Sequence, residues 1–345
     1  MKLSFVIPVY NAAPFLRECL DFLLAQNAPA GGYEIVAVND GSTDGSPAIL
    51  REYAAAHPKL FVVVDQPNAG PGTARNTGFA ASCGEFVWFI DADDIVRRGA
   101  VLAVVGALEE TGAELLRVDY RSFEESEPVP QEAAESADAF DVSPTTPAKE
   151  LCFSNWTPWD KIFSRELLLR AGLRFPPLLL GDDAAELFRI VAQARKIVRT
   201  RTTCYFYRQR RGSLMRVFTE RSITDDLRSS EIVEAQIPLF PELREEYEYF
   251  HWRILECMID RCESAVSAPG CDAASKTAIE ARLPEIRAKF AAAAKPGNPY
   301  IHQIIWMRTG FKRAIEHQAA AFRNSLSWKL TAPVRFLADM LKFKN

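Results

Sequence analysis

Apolar runs alternate with amphipathic stretches along the first part of the chain. The expected strands are residues 3–9, 34–38, 61–65 and 86–90, and the expected helices are residues 14–26, 46–56 and 72–82. Such alternation predicts an α/β fold in which helices cover a mostly parallel sheet. Ligands of such sheets bind at the carboxyl ends of the strands, so polar residues at those ends are candidate site residues.

The pattern changes three times farther along the chain. Residues 124–150 are rich in Glu, Ala, Ser and Pro, which predicts an acidic surface insertion in a domain of residues 1–221. Residues 222–300 have helical periodicity punctuated by prolines and predict a helical extension. Residues 301–345 contain eight basic and two acidic residues beside an apolar stripe at helical spacing, which predicts a basic amphipathic tail.

Composition argues against several classes of protein. The chain has 345 residues, 48% of them hydrophobic and 25% charged, which is typical of a soluble globular protein of one or two domains. A formal net charge of −4 gives no basic bias toward nucleic acid. The sequence has no apolar stretch as long as a membrane span and no signal-peptide core. Seven scattered cysteines favour reduced thiols in the cytoplasm over a disulfide framework or a zinc site.

Three carboxylates follow the fourth apolar run. Asp91, Asp93 and Asp94 would repel one another unless a donor, water or a cation lies between them. An Asp-x-Asp at a strand end can bind a divalent cation that bridges to phosphate oxygens. Solvated acids, or an Asp that caps the next helix, would explain the same residues without a ligand. Taken alone, the carboxylates favour the interpretation without a ligand.

Two further polar segments follow predicted strands. In the first, Gly41 permits a tight turn and Asp40 can accept a hydrogen bond from a base or a ribose hydroxyl. An ordinary Asx turn into a helix is the alternative for that segment. In the second, Gly70 and Gly72 allow close approach of the backbone to a ligand, and Arg75 can contact a phosphate or orient the acids.

These segments share the order and spacing of a known family. They read SFVIPVYNAAPFLRECLDFLLAQ, VNDGSTDGS and NAGPGTARNTGFAASCGEFVWFIDADD. They resemble the family 2 inverting glycosyltransferases, closely over roughly the first hundred residues and more loosely to Arg216. The resemblance implies a GT-A fold, a nucleotide-sugar donor that is expected to be UDP-linked, and Mn²⁺ or Mg²⁺ as cofactor.

The resemblance also implies roles for residues at matching positions. The residues expected to bind the nucleotide sugar are Pro8, Tyr10, Asp40, Arg75, Asp91, Arg211 and Ser213. Tyr10 would stack on the base and Asp91 would approach the ribose. Asp93 and Asp94 are the expected metal ligands, and the sequence does not separate their roles. Arg211 and Ser213 lie in a basic stretch comparable to a loop of relatives, for which a solvated basic turn is the alternative.

A later segment, WTPWDKIFSRELLLRAGLRFPPLLLGDDAAELFRI, resembles the acceptor side of the same family. The similarity implies acceptor-side roles for Trp159, Lys161 and Asp182, and it makes Asp183 the catalytic base. Inversion requires in-line attack by an acceptor hydroxyl, whose proton one carboxylate takes. The alternatives are core packing for Trp159 and a helix N-terminal pair for Asp182 and Asp183.

The expected function is metal-dependent transfer of a hexose or N-acetylhexosamine to a glycan or lipid-linked acceptor in cell-surface polysaccharide synthesis. A catalytically silent nucleotide- or glycan-binding subunit and a nucleotidyltransferase stay open as alternatives. The intact acids argue against the first, and Pro8-Val9-Tyr10-Asn11 in place of a Gly-rich basic loop argues against the second. We expect a cytoplasmic protein whose tail either meets the inner face of the membrane or packs on protein.

Overall fold

The computed structural model of the chain describes residues 1–28, 30–130, 140–210, 219–268, 273–295, 297–302 and 304. The chain forms two compact units, Met1–Lys295 and Pro296–Asn345. In the second unit, residues 299–302 are helical. The predicted basic tail, apart from residues 301, 302 and 304, lies outside the described residues. Every element below belongs to the first unit.

A mixed sheet forms the centre of the first unit. Its strands, among the described residues, are β1 (Leu3–Val9), β2 (Tyr33–Asp40), β3 (Phe61–Gln66), β4 (Phe86–Phe89), β5 (Ile95–Val96), β6 (Leu115–Glu124), β7 (Val142–Thr145), β8 (Lys161–Ser164) and β9 (Ile197–Gln209). Their order is β3-β2-β1-β4-β8-β6-β9-β5, and β7 pairs with β9. The first four strands are parallel, as predicted, and β6 is parallel to β9. The antiparallel strand β8 joins these two parts of the sheet.

Helices cover the sheet and extend the chain beyond it. The described helices are α1 (Ala13–Leu24), α2 (Ser46–Ala56), α3 (Pro71–Ala81), α4 (Ala100–Thr111), α5 (Pro147–Phe153), α6 (Arg165–Ala171), α7 (Asp182–Gln193), α8 (Glu220–Gln236), α9 (Arg244–Ser267) and α10 (Ala273–Ala293). A proline in the first turn helps each of α1, α2 and α3 to start, because its missing N–H has no partner there anyway. The α/β fold with a helical C-terminal extension is therefore as predicted.

The loop after β2 ties the starts of α1 and α2 together. Asp44 accepts a hydrogen bond from the Ser46 N–H at 2.9 Å and another from the Ala13 N–H at 3.0 Å. The Ser46 hydroxyl in turn accepts the Ala12 N–H at 3.0 Å. Burial opposes the charge of Asp44, but the hydrogen bonds outweigh it and lower the pKa of this carboxyl. The loop thereby holds the carboxyl ends of β1 and β2 side by side.

The end of the predicted acidic insertion forms regular structure. Residues 142–145 are strand β7 on β9, and residues 147–153 are helix α5. Thr146 starts α5 by accepting the Lys149 N–H. In this short strand Val142 packs against the hydrophobic core, and the pairing with β9 uses backbone groups. Residues 131–139 of the insertion lie outside the described residues.

The helical extension packs on the sheet domain. Phe250 of α9 packs on Phe188 of α7 and meets Trp156 edge to face, with ring centroids 4.8 Å apart. Helix α8 packs on α7 and α9, and α10 packs on α9. Helix α8 therefore touches the element that carries Asp182 and Asp183. The helices of the described residues include none with the length and apolar character that crossing a membrane requires.

Candidate active site

The three acids after β4 have different environments. Asp94 is 0% exposed and accepts the Tyr205 hydroxyl and the Arg208 N–H, each at 2.7 Å. Burial, and then the charges of Asp93 and Asp91, raise the pKa of Asp94 well above its ordinary value. The side chains of Asp91 and Asp93 keep 30% and 20% exposure. Both carboxylate oxygens of Asp94 thus accept hydrogen bonds from the protein. Asp93 is the more accessible of the two predicted metal ligands.

Two arginines at the end of β9 contact Asp93. The Nε of Arg208 donates to the Asp93 carbonyl at 2.8 Å, and the Nε of Arg210 donates to the Asp93 carboxylate. These contacts bring Arg208 and Arg210 to the acids after β4. The predicted diphosphate contacts Arg211 and Ser213, in the same stretch, lie outside the described residues.

Arg75 connects the acids after β4 with those at the start of α7. It lies in α3 and is 4% exposed. Its Nη2 donates to Asp91 at 3.0 Å, and its Nη1 donates to Asp182 at 2.9 Å and to Asp183 at 2.7 Å. The sequence allowed Arg75 either to contact a phosphate or to orient the acids, and in this structure it orients the acids.

Burial and mutual repulsion set the protonation of this cluster. Burial raises the pKa of Asp183 well above its ordinary value; Arg75 opposes that rise, while Asp182 and Asp91 add to it. Burial also raises the pKa of Asp182 and of Asp91 in spite of Arg75. For Arg75 itself burial disfavours the charge, but the three carboxylates outweigh burial and raise its pKa. A carboxylate with a raised pKa is a better proton acceptor near neutral pH.

Close backbone packing lets Arg75 reach Asp182 and Asp183. A Cβ at Gly72 would lie 2.9 Å from the Asp182 carboxylate, so a glycine is needed for α3 to come this close to α7. Asn76 exchanges two hydrogen bonds of 2.9 Å with the backbone of Phe175. Sequence reasoning did not assign Asn76 a role, although it directly follows Arg75 in one of the matching segments.

Asp40 organises the loop that leads into α3. It accepts hydrogen bonds from the Gln66 side chain at 2.7 Å and from the N–H groups of Ala69 and Gly70 at 2.9 Å. Gly70 has a φ of 90°, in the left-handed region that favours glycine, and directly precedes α3. Asp40 therefore positions the start of the helix that carries Arg75, and its contact with a base stays a prediction.

The end of β1 presents an aromatic ring to solvent. Tyr10 is 52% exposed, and Pro8 is in register with Val38 of β2. The next residue, Asn11, has a φ of 49°, and its side-chain oxygen accepts the Thr43 N–H at 2.8 Å. The loop after β2 thus fixes the backbone beside Tyr10. The exposed ring leaves a face for the predicted stacking on a base.

Two residues predicted for the acceptor side are buried. Trp159 stacks on Tyr205 and Tyr207, with ring centroids 4.7 and 5.4 Å apart. The ammonium group of Lys161 donates to the Asp160 carboxylate at 2.6 Å and to two backbone carbonyls. Packing was the alternative for Trp159, and it describes both side chains here. Their acceptor contacts stay predictions.

Two of the acids after β4 have carboxylates that a divalent cation could reach. Asp91 and Asp93 offer partly exposed carboxylate oxygens, which are the ligands that Mg²⁺ and Mn²⁺ prefer. The part of the chain that the structure describes has no cluster of three or more metal-ligating acids, histidines or cysteines. Mg²⁺ usually takes one or two carboxylates and completes its shell with water and substrate phosphates. This donor set fits a cation that is shared with a diphosphate.

The first half of the chain matches a known protein family. The model described as "Glycosyl transferase family 2" matches residues 4–168. Residues 4–168 belong to glycosyl transferase family 2. This family domain contains Asp40, Arg75 and the acids after β4, whereas Asp182 and Asp183 follow it. The family resemblance of the sequence is confirmed.

Two curated relatives carry the same activity class in their names. Glycosyltransferase GlyA of Streptococcus pneumoniae serotype 4 is 31% identical over 230 residues, which cover 64% of this chain and 32% of that protein. Poly(ribitol-phosphate) beta-glucosyltransferase of Bacillus spizizenii is 42% identical over 103 residues, which cover 30% of this chain and 16% of that protein. The chain therefore matches less than half the length of both relatives.

Two solved structures share the fold. S. aureus TarS residues 1–349 in complex with UDP-GlcNAc has a TM-score of 0.60 and 20% identity, over 90% of this chain and 92% of that one. Mannosyltransferase PcManGT from Pyrobaculum calidifontis, in complex with GDP-Man and Mn²⁺, has a TM-score of 0.52 and 21% identity, over 89% of this chain and 86% of that one. These likenesses agree with the predicted GT-A fold.

Proposed function

We propose that the protein is an inverting glycosyltransferase. It moves a hexose or N-acetylhexosamine from a UDP-sugar to a glycan or lipid-linked acceptor in cell-surface polysaccharide synthesis. The observation that carries this proposal is the position of Arg75, whose guanidinium holds Asp91 and Asp183 together. The Arg75 guanidinium thereby links Asp91, on the expected nucleotide-sugar side, to Asp183, a carboxylate suited to accept a proton.

The donor side is assigned to the strand ends. Tyr10 stacks on the base, Pro8 and Asp40 complete the base pocket, and Asp91 binds the ribose. Asp93 would hold Mn²⁺ or Mg²⁺, and Asp94, the other expected ligand, accepts hydrogen bonds from Tyr205 and Arg208. A divalent cation, when bound, supplies neutralisation of the charge on the departing diphosphate. The UDP-GlcNAc complex of TarS supports a nucleotide-sugar donor, and the Mn²⁺ complex of PcManGT supports the use of a divalent cation.

The proton-transfer step is assigned to Asp183. The acceptor hydroxyl attacks the anomeric carbon in line, its oxygen forms the new glycosidic bond, and its proton passes to the Asp183 carboxylate. The bond from the anomeric carbon to the phosphate oxygen breaks, and its electron pair leaves with the diphosphate. The Asp183 side chain keeps 24% exposure, so an acceptor can reach it. Asp182 shares the Nη1 of Arg75 and thereby holds the start of α7 beside the donor side.

The acceptor and the place of action belong to the same proposal. The name of the poly(ribitol-phosphate) beta-glucosyltransferase supports a polymer as acceptor. The predicted basic amphipathic tail supports attachment to the inner face of the cytoplasmic membrane.

Nucleotide binding and nucleotide release test this function together. The protein is mixed with Mn²⁺ and, in turn, UDP-glucose, UDP-galactose, UDP-N-acetylglucosamine, UDP-N-acetylgalactosamine and GDP-mannose. We expect UDP to raise the melting temperature, EDTA to remove that rise, and one UDP-sugar to release UDP slowly by hydrolysis. Stabilisation without release from any sugar would favour the silent binding subunit. Neither stabilisation nor release would contradict the proposal.

A further inference from the structure

The turn that precedes Asp182 is held by helix α8, far along the chain. The Leu179 N–H donates to the Asp225 carboxylate at 2.9 Å. The Ser229 hydroxyl donates to the Gly181 carbonyl at 2.7 Å. The same carbonyl accepts the Ala185 N–H at 3.1 Å, which is the first hydrogen bond of α7. Two side chains of α8 therefore bind both ends of the short turn from which α7 starts.

Gly181 makes this contact close. Its φ is 74°, in the left-handed region, and a Cβ there would lie 2.8 Å from the Cβ of Ser229. The residue before α7 thus has no side chain that could cap the helix, and α8 takes that space. Helix α8 is fixed in turn by Asp226, which pairs with Arg261 of α9 at 2.6 Å.

We propose that Ser229 and Asp225 are positioning residues that set the place of the Asp183 carboxylate. This inference rests on the proposed function, in which Asp183 takes the acceptor proton. Asp182 and Asp183 are the first two residues of α7, so the orientation of the Leu179–Gly181 turn sets where their side chains point. A shift of about 1 Å in a reacting group can lower a rate on the order of a hundredfold. The helical extension is therefore part of the catalytic apparatus.

The chain contains a matched control beside Ser229. Ser230 is as deeply buried, but its hydroxyl pairs with His251 of α9 at 2.8 Å. Ser229→Ala and Ser230→Ala each remove one buried hydroxyl from neighbouring positions of α8. General loosening of the helix affects both variants, whereas loss of the contact to the turn affects Ser229→Ala alone.

The test uses the full-length protein with Mn²⁺ and the UDP-sugar that releases UDP fastest. We expect Ser229→Ala and Asp225→Ala to lower kcat for UDP release about tenfold, with KM and the affinity for UDP unchanged. Asp225→Asn keeps an oxygen that can accept the Leu179 N–H, so it should retain most of kcat. Amide hydrogen exchange over residues 179–185 should quicken in Ser229→Ala and stay as in the wild type in Ser230→Ala.

The outcomes separate this inference from the proposed function. Equal losses of kcat in Ser229→Ala and Ser230→Ala would overturn it, because they would show general loosening of α8. Unchanged exchange over residues 179–185 in Ser229→Ala, or quickened exchange with normal kcat, would overturn it too. Normal UDP release in Asp183→Asn would instead contradict the base assignment in the proposed function, whatever the α8 variants do.

Discussion

The acids after β4 and the acids at the start of α7 are held in different ways. Asp94 is fixed by Tyr205 and Arg208, which belong to a strand of the same sheet. Asp182 and Asp183 begin a helix whose preceding turn depends on α3 and α8. The first group is built into the sheet itself, whereas the second depends on side chains from other helices. We therefore expect substitutions far along the chain to shift the carboxylates of Asp182 and Asp183 more than those of the acids after β4.

Arg75 makes the two groups depend on each other. It is buried between them and donates to a carboxylate on each side. Burial raises the pKa of carboxyls in both groups, so each would hold its proton more readily without this guanidinium. Arg75 therefore lowers the pKa of a carboxyl on each side.

The largest expected effect separates the two groups by function. Asp183→Asn keeps the shape of the side chain but removes its ability to take a proton, so UDP-sugar turnover should fall about 10²-fold or more. The affinity for UDP with Mn²⁺, measured by calorimetry, should stay near that of the wild type. A similar loss of UDP affinity would contradict the division into a donor side and a base side.

Removal of Arg75 should damage both groups at once. Arg75→Met leaves buried carboxylates without their cation, and the free energy of unfolding should fall by about 3–5 kcal/mol in urea titrations. Arg75→Lys keeps the charge but loses the forked geometry of the guanidinium. Its free energy of unfolding should therefore lie between those of the wild type and Arg75→Met. Arg17→Met is the control, because Arg17 and its partner Glu52 are exposed and its loss should change little. Wild-type stability in Arg75→Met would show that the two groups do not need their common cation.

A change at Asp93 should affect the donor side alone. UDP should raise the melting temperature more with Mn²⁺ than with EDTA, and Asp93→Ala should remove most of this difference. The affinity for UDP with Mn²⁺ should fall about tenfold or more, as for other changes at metal sites. Amide exchange over residues 179–185 should be unaffected. An unchanged response to EDTA in Asp93→Ala would remove Asp93 from the metal site.

The sequence predicts the acids after β4, the sheet-held group, better than Asp182 and Asp183, the helix-held group. The reason is physical. The strands 3–9 and 61–65 were placed to within a residue, because apolar periodicity and burial coincide there. Arg75 and Asp91 lie in neighbouring motifs, and their meeting follows from the parallel topology. Strand β8 was missed because it has four residues and starts with the charged, buried Lys161.

The contacts of α8 that hold the turn before Asp182 and Asp183 cannot be predicted from the sequence pattern. Ser229 and Gly181 are 48 residues apart, and a serine in a helix has no pattern that names its partner. The same holds for Asp225, whose hydrogen bond spans 46 residues. Trp159 and Lys161 lie inside a segment that resembles the acceptor side, yet their side chains are buried. A family resemblance transfers a position along the chain more safely than it transfers exposure.

The smallest expected effect concerns the stability of the helix that begins with Asp182 and Asp183. Glu186 of α7 accepts the Arg174 N–H at 2.6 Å and pairs with Arg189. Burial outweighs both contacts and raises the pKa of Glu186 to about 6, from an ordinary value of 4.5. The folded protein then holds this proton below about pH 6 and the unfolded chain only below about pH 4.5, so this group favours folding as the pH falls.

Glu186→Gln should remove this pH dependence while the amide oxygen still accepts the Arg174 N–H. Relative to the variant, the wild type should gain about 1–2 kcal/mol in free energy of unfolding between pH 7.5 and pH 5, measured in urea. Glu166→Gln is the control, since that side chain is 77% exposed. Parallel pH profiles for the wild type and Glu186→Gln would mean that burial does not perturb this carboxyl. Any dependence of the free energy of unfolding on pH that arises in α7 would then come from Asp182 and Asp183. In those two carboxyls burial also raises the pKa, and Arg75 opposes that rise.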